Sequence, residues 1–276
     1  MAKKRKRVQT AAAEPPSSGV LGGGLRLFAA GAAVLTVVAA VVVGAVLLSG
    51  EDSSTPATGG KKAVIVDQLE LTHPGPEFIS DARSTLSGAG YTVDYIGGEQ
   101  VTVETYRTLA SRDYDLVILR VHAGTTTEVD AETGERTDEE YVSLFTNEEY
   151  DTSKYPQEQM NRLGKATYPD GSGGFFGIGP EFIKNIPGDF EGAPIIMMGC
   201  DGLRSQKTAE AFLDKGAGPF VSWSNQVSGN FTDDATDVLL SHWLADGLSL
   251  EEAVTVTSEE VGPDPTYAGE LRILTG

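Results

Sequence analysis

The sequence predicts an α/β domain, a doubly wound and mostly parallel sheet of about six strands, preceded by one transmembrane helix. Three observations predict it. From residue 61 onward, short apolar runs rich in Val and Ile alternate with segments of helical periodicity. Near the N-terminus, residues 27–48 (LFAAGAAVLTVVAAVVVGAVLL) form an uncharged run of 22 residues. Charge is also unevenly divided: residues 1–26 carry six Lys or Arg against Glu14, and the remaining chain carries 15 basic and 39 acidic residues.

The N-terminal elements follow from charge and length. A run of 22 residues at about 1.5 Å per residue spans a hydrocarbon core. The basic cluster Lys3, Lys4, Arg5, Lys6 and Arg7 precedes it, and Glu51 and Asp52 follow it. A basic flank stays in the cytoplasm, so residues 1–26 are expected inside and the C-terminal domain outside. A cleaved signal peptide has a shorter apolar core, so the expectation is a retained single-pass anchor in the cell membrane. Residues 49–60 (SGEDSSTPATGG) have the composition of a flexible linker.

The domain at 61–276 reads strand by strand. AVIVDQL is a first buried strand, and EFISDARSTLSGAG a helix with a glycine stop. YTVDYIGG is a second strand, ETYRTLASRDYD a second helix, and LVILRVHAG a third strand from Leu116 to Val121. Residues 125–190 break the rhythm. A hairpin around Thr133-Gly134 is expected, then a long irregular insertion acting as a lid or a substrate-facing segment, with a short helix at PEFIKNI. Regularity resumes with the strand Ile195–Met198, the helix KTAEAFLDKGAG and the strand PFVSWS. DDATDVLLSHWLADG is a helix capped near Asp233. SLEEAVTVTSEEV is a helix with Ser249 as N-cap and Glu252 in capping-box spacing, and ELRILTG is a last strand.

Composition narrows the function. An acidic domain repels phosphate, so no nucleic-acid partner is expected. His73, His122 and His242 are scattered, and the acidic stretch 128–151 lacks an EF-hand pattern, so no metal is expected. No glycine-rich phosphate loop lies between a strand and a helix, and no cofactor is implied. The single cysteine, Cys200, excludes an internal disulfide, and a lone Cys is most often a small buried hydrophobe.

Two strands nevertheless end in reactive side chains, His122 after the third and Cys200 after the fourth. Ligands of open α/β sheets bind outside the carboxyl ends of the strands. If these strands are neighbours, the imidazole and thiol share that crevice, and the pair has the chemistry of a cysteine nucleophile with a general acid. Gly124 and Gly199 flank them, and the backbone N–H groups of Gly124 and Cys200 are candidates for an oxyanion hole. Asp201 is a candidate for recognising a basic side chain, or equally a solvated loop carboxylate.

From residue 193 to 274 the chain resembles the second half of the CHAT and caspase-like (clan CD-type) cysteine peptidases. The resemblance is carried by PIIMMGCDG, AEAFLDKGAGPFVSWSNQV, DVLLSHWLADGLSLEEAV and LRILTG, with Gly216-Ala217, Trp223 and Gly247-Leu248-Ser249 in the expected places. Upstream, LVILRVHAG resembles the strand that carries the catalytic His. The resemblance implies a caspase-like domain in which Cys200 is the nucleophile and His122 the general acid. It brings Trp223 and Ser224, in the aromatic strand after the nucleophile, into the substrate-binding set. Three features depart from the family. Ala123 separates His122 from Gly124, Met198-Gly199 stands where caspases carry Gln-Ala, and Cys200 lies 78 residues beyond His122 rather than about 50. The insertion accounts for the longer spacing.

The expected function is a membrane-anchored cysteine endopeptidase-like hydrolase that cleaves extracytoplasmic proteins or peptides. The alternatives are a catalytically silent scaffold on the same fold, and a ligand-binding receptor domain in which His122 and Cys200 lie far apart.

Overall fold

The structure is a computed structural model that describes residues 60–129, 136–159, 162–168 and 170–276. The basic tail, the apolar run 27–48, nearly all of the linker and the turn at Thr133-Gly134 lie outside the described residues. Among the described residues, no helix is long and apolar enough to cross a membrane.

A mixed α/β fold is built on a six-stranded, mostly parallel sheet. Its strands are β1 (Lys61–Asp67), β2 (Tyr91–Gly97), β3 (Leu116–Arg120), β8 (Ile195–Met197), β9 (Phe220–Trp223) and β10 (Leu271–Leu274). Their order across the sheet is β10-β9-β8-β3-β1-β2, and only β10 runs antiparallel to its neighbour. Alternation along each strand feeds two cores. Val64, Val66, Val117 and Leu119 pack toward one face, with Tyr106, Phe182 and Phe212. Ala63, Ile65, Leu116 and Ile118 pack toward the other, with Phe78, Leu86, Leu239 and Ala253. Both faces are therefore apolar, as a parallel sheet covered on two sides requires.

The helices supply those partners. On the first face lie α2 (Val103–Thr108), α3 (Pro180–Asn185) and α4 (Lys207–Asp214), and on the second α1 (Pro76–Gly88), α5 (Gly229–Leu240) and α6 (Leu250–Val261). The expected capping box is present: Ser249 Oγ accepts from the Glu252 amide, and the Glu252 carboxylate accepts from the Ser249 amide. The second helix is shorter than its sequence suggests, because after Thr108 the chain tightens into a 3₁₀ turn at Leu109–Ser111.

Two expectations need correction. The helix expected to cap near Asp233 begins a turn earlier, with Ser228 at its N-cap. Asp233 lies inside it because a buried arginine claims its carboxylate. The insertion is also far from irregular. It forms a second, antiparallel sheet of β4 (Ala123–Val129), β5 (Arg136–Glu149), β6 (Leu163–Ala166) and β7 (Phe175–Ile178), in the order β4-β5-β7-β6. Val142, Leu144, Leu163, Phe176 and Ile178 bury one side of this sheet into the first core. Because Leu163, Phe176 and Ile178 lie on four-residue strands set among Gly, Pro and Asp, their period is hard to see in one dimension.

Candidate active site

The strand order reverses between β1 and β3, where chain segments diverge and leave a crevice at the carboxyl ends. A cavity of about 610 Å³ opens there. Its walls come from the segments that follow four parallel strands: Leu69 to His73 after β1, Val121 to Thr125 after β3, Met198 to Asp201 after β8, and Gln226 to Thr232 after β9. The second sheet adds Glu140 and Phe145, and the connection after β6 adds Thr167 and Tyr168. His122, Gly124, Cys200 and Asp201 all line this one space.

The approach of His122 and Cys200 follows from register. β3 and β8 are adjacent, with Leu119 paired to Met197. Past that pair the strand ends stay so close that a Cβ on Gly199 would fall 2.3 Å from the Val121 carbonyl oxygen. Only glycine permits that spacing. The residues that follow, His122 and Cys200, are thereby set side by side at the cavity wall.

His122 is held from several directions. Its amide donates to Gln68 Oε1 at 2.8 Å, and its carbonyl accepts from the Phe145 amide at 2.9 Å. Gln68 is itself tied through Asn147 to β5. The imidazole Nε2 lies 3.2 Å from Thr72 Oγ1. The Tyr168 ring meets the imidazole edge-on at 5.1 Å, and Phe145 lies at 6.1 Å. Burial behind these rings pushes the imidazole below its ordinary value, and His73 and Arg120 act in the same direction.

Cys200 is part-buried, and its Sγ donates to the Val227 carbonyl at 3.6 Å. No hydrogen bond joins thiol and imidazole. Burial pushes the thiol up, and the neighbouring carboxylates Asp201 and Asp264 add to that shift. The two shifts together favour a neutral thiol beside a neutral imidazole. An attack from this state takes its proton off during the reaction and does not start from a preformed thiolate.

The oxyanion candidates separate. Antiparallel pairs alternate between bonded and non-bonded types. Since Phe145 donates to His122, the pair two residues along, Gly124 with Ser143, is of the bonded type, and the Gly124 amide belongs to the ladder. The Cys200 amide donates to no other described residue and stays available to a ligand.

Trp223 and Ser224, carried over from the resemblance as substrate-binding residues, do not line this cavity. Trp223 is 1% exposed, and its Nε1 donates to Thr232 Oγ1 at 2.9 Å. With that bond made, the indole is fully buried as core. Ser224 is engaged by the β10 edge: its amide donates to the Glu270 carbonyl, and its Oγ accepts from the Glu270 amide.

Sequence reasoning missed the support beneath the site. Arg120, the last residue of β3, is 0% exposed. Its guanidinium reaches Asp67 Oδ1, both oxygens of Asp233 and the His73 carbonyl, each at 2.8 Å. From Arg120, two residues before His122, this network joins β1, β3, α5 and the segment carrying Thr72 and His73. The available signal was a lone Arg in an otherwise apolar strand, with an Asp closing the strand beside it. Among the described residues, no group of His, Cys, Asp and Glu is arranged to hold a metal.

No protein-family model matches the chain, and no curated protein matches it in sequence. Among solved structures it is similar to protein GSU0716 from Geobacter sulfurreducens, at 13% identity and a TM-score of 0.38, over 77% of this chain and 93% of that one. A likeness at that level carries no argument about function.

Proposed function

We propose that this protein is a membrane-anchored, caspase-like cysteine endopeptidase acting on extracytoplasmic proteins, with Cys200 as nucleophile and His122 as general base and acid. The carrying observation is that both side chains line one cavity at the carboxyl ends of adjacent parallel strands. That placement argues against a receptor domain in which the two lie apart. In the proposed reaction Sγ attacks the peptide carbonyl carbon while His122 takes the thiol proton. The Cys200 amide faces the developing oxyanion. The C–N bond then breaks, His122 passes the proton to the leaving amine, and a thioester remains. Water attacks the thioester, releasing the carboxylic acid and restoring the thiol. The apolar run 27–48 anchors the domain with the basic tail inside.

The silent-scaffold reading is favoured by one observation. The thiol is engaged by Val227 and the imidazole by Thr72, so neither engages the other. Two labelling experiments on the full chain separate the readings. Because burial raises the thiol, iodoacetamide should label Cys200 slowly below pH 8 and faster as pH rises, under either reading. A peptide acyloxymethyl ketone tests catalysis, since the proposal requires an adduct on Cys200 that is lost in His122→Ala. An unlabelled native protein whose denatured form reacts normally would reject the hydrolase in favour of the scaffold. Rapid iodoacetamide labelling at pH 6 would reject the neutral resting pair.

A further inference from the structure

Past Leu240 the last helical turn of α5 widens into a π turn, Ser241–Ala245. Such turns are rare and often occur at functional sites. His242 sits in this one between two carboxylates. Its Nδ1 lies 2.9 Å from Asp246 Oδ2, and its Nε2 lies 2.9 Å from Glu260 Oε2 in the last turn of α6. An ionised carboxylate only accepts hydrogen bonds, and a neutral imidazole donates through one nitrogen. Both bonds are therefore made at once only by the imidazolium. Glu260 first, and Asp246 after it, hold the imidazole above its ordinary value.

Three helices pack against this turn. α1 carries Glu77, Asp81 and Arg83, and α5 carries Asp233, Asp234 and Asp237. α6 adds Glu251, Glu252 and Glu259 to Glu260. Arg83 is the single base in these helices, and Asp233 is already paired with Arg120. Their summed charge favours the imidazolium. Asp237, pushed up to about 7, also titrates near neutrality.

The Glu260 arm leads to the cavity. Gly262, at φ 68°, ends α6. Asp264 is buried, and its carboxylate accepts the amides of Ser228, Thr266 and Tyr267 at 2.8, 2.8 and 2.7 Å. Tyr267 and Val227 line the cavity, and the Val227 carbonyl accepts the Cys200 thiol. A strap from 262 to 269 thus runs from the clamped end of α6 to the cavity wall.

We infer that protonated His242 is a clamp that fixes the end of α6 and, through it, the strap at the cavity wall, and that loss of the proton releases one arm. The device is independent of what the cavity binds. A histidine raised in the folded state stabilises fully below its ordinary value of 6.5, and the effect is lost as pH rises through the raised value. Asp237 destabilises in the same direction as it ionises, so a wild-type pH curve alone mixes the two. Side-chain exposure is 21% for His242 and 57% for each carboxylate. Solvent screens such pairs, so the expected effect is about 2- to 10-fold in local opening.

The test uses the full chain. Proton NMR follows the His242 ring, assigned by its disappearance in His242→Gln. Its midpoint should lie above that of a free histidine, and Glu260→Gln and Asp246→Asn should each lower it. Hydrogen exchange, corrected for base catalysis, then reads the strap. Two pH units below the measured midpoint, the amides of 262–269 should open about 2- to 10-fold more often in His242→Gln than in wild type. Two units above it, that gap should shrink by at least half. Asp237 is present in both chains, so the comparison isolates His242. Glu260→Gln should repeat the low-pH result, which covers poor folding of His242→Gln. A midpoint at or below the free value overturns the inference, and so does a midpoint that either carboxylate variant leaves unmoved. Wild-type exchange in both His242→Gln and Glu260→Gln at low pH, or a gap that shrinks by less than half, also overturns it.

Discussion

Replacing Arg120 with Met removes the cation that, among the described residues, pairs with two buried carboxylates. Side-chain exposure is 0% for Arg120, 1% for Asp67 and 11% for Asp233. The substitution breaks four hydrogen bonds of 2.8 Å and leaves the His73 carbonyl without that donor. The site is closely walled, since a Cβ on Gly75 would sit 2.6 Å from Arg120 Nη2. Removing one partner of a buried ion pair costs about 3–5 kcal/mol, mostly because the other charge is left uncompensated. For a domain of this size that is a fall in melting temperature of about 6–20 °C. Thermal unfolding of the full chain by near-ultraviolet circular dichroism measures it. The triple variant Arg120→Met, Asp67→Asn, Asp233→Asn carries no stranded charge and should recover at least half of the loss. The reasoning is refuted if the single variant loses less than about 1 kcal/mol, or if the triple variant melts no higher than the single.

Two further outcomes follow from geometry and charge. Gly199→Ala should force the ends of β3 and β8 apart, because the new Cβ meets a backbone oxygen at 2.3 Å. The expected cost is about 1–3 kcal/mol of stability and, on the proposed hydrolase reading, about 100-fold in peptide cleavage for a displacement near 1 Å between His122 and Cys200. A wild-type melting curve and rate in this variant would show that the strand ends do not need the close approach. Asp237 has its carboxyl pushed up to about 7 by burial first, then by Asp81, Asp233 and Asp234. A carboxyl raised in the folded state opposes folding increasingly as pH rises from its unfolded value through 7. The full shift would correspond to about 4 kcal/mol, and partial exposure reduces this to about 1–2 kcal/mol. Asp237→Asn should therefore stabilise the protein at pH 8 and change little below pH 4. Equal melting temperatures for wild type and variant at pH 8 would contradict that origin of the shift.

Much of the fold is legible in one dimension where a local rule decides. Apolar runs at β1, β3 and β8 are buried on both faces, so their composition announces parallel strands without any partner being known. Ser249 and Glu252 specify the start of α6 through bonds three residues apart. His122 and Cys200 were visible because each directly follows such a run, and strand ends are where open sheets bind ligands. Only the position of Thr232 shows that the Trp223 N–H is satisfied in the core.

By itself the sequence determined which segments become the strands and helices of the parallel sheet, where the charge falls, and that one thiol and one imidazole follow two strands. Those properties depend on neighbours within a few residues. Tertiary structure alone decided that β3 and β8 lie side by side, that the insertion folds into a second sheet boxing the imidazole, and that Arg120 draws Asp67 and Asp233 beneath the site. It also decided that Asp201 is buried with an unpaired oxygen and is not a solvated loop carboxylate. These contacts join residues 53 to 113 positions apart in the chain at Arg120 alone. Pairing at that range is set by burial and closure of the whole domain, which no local period encodes.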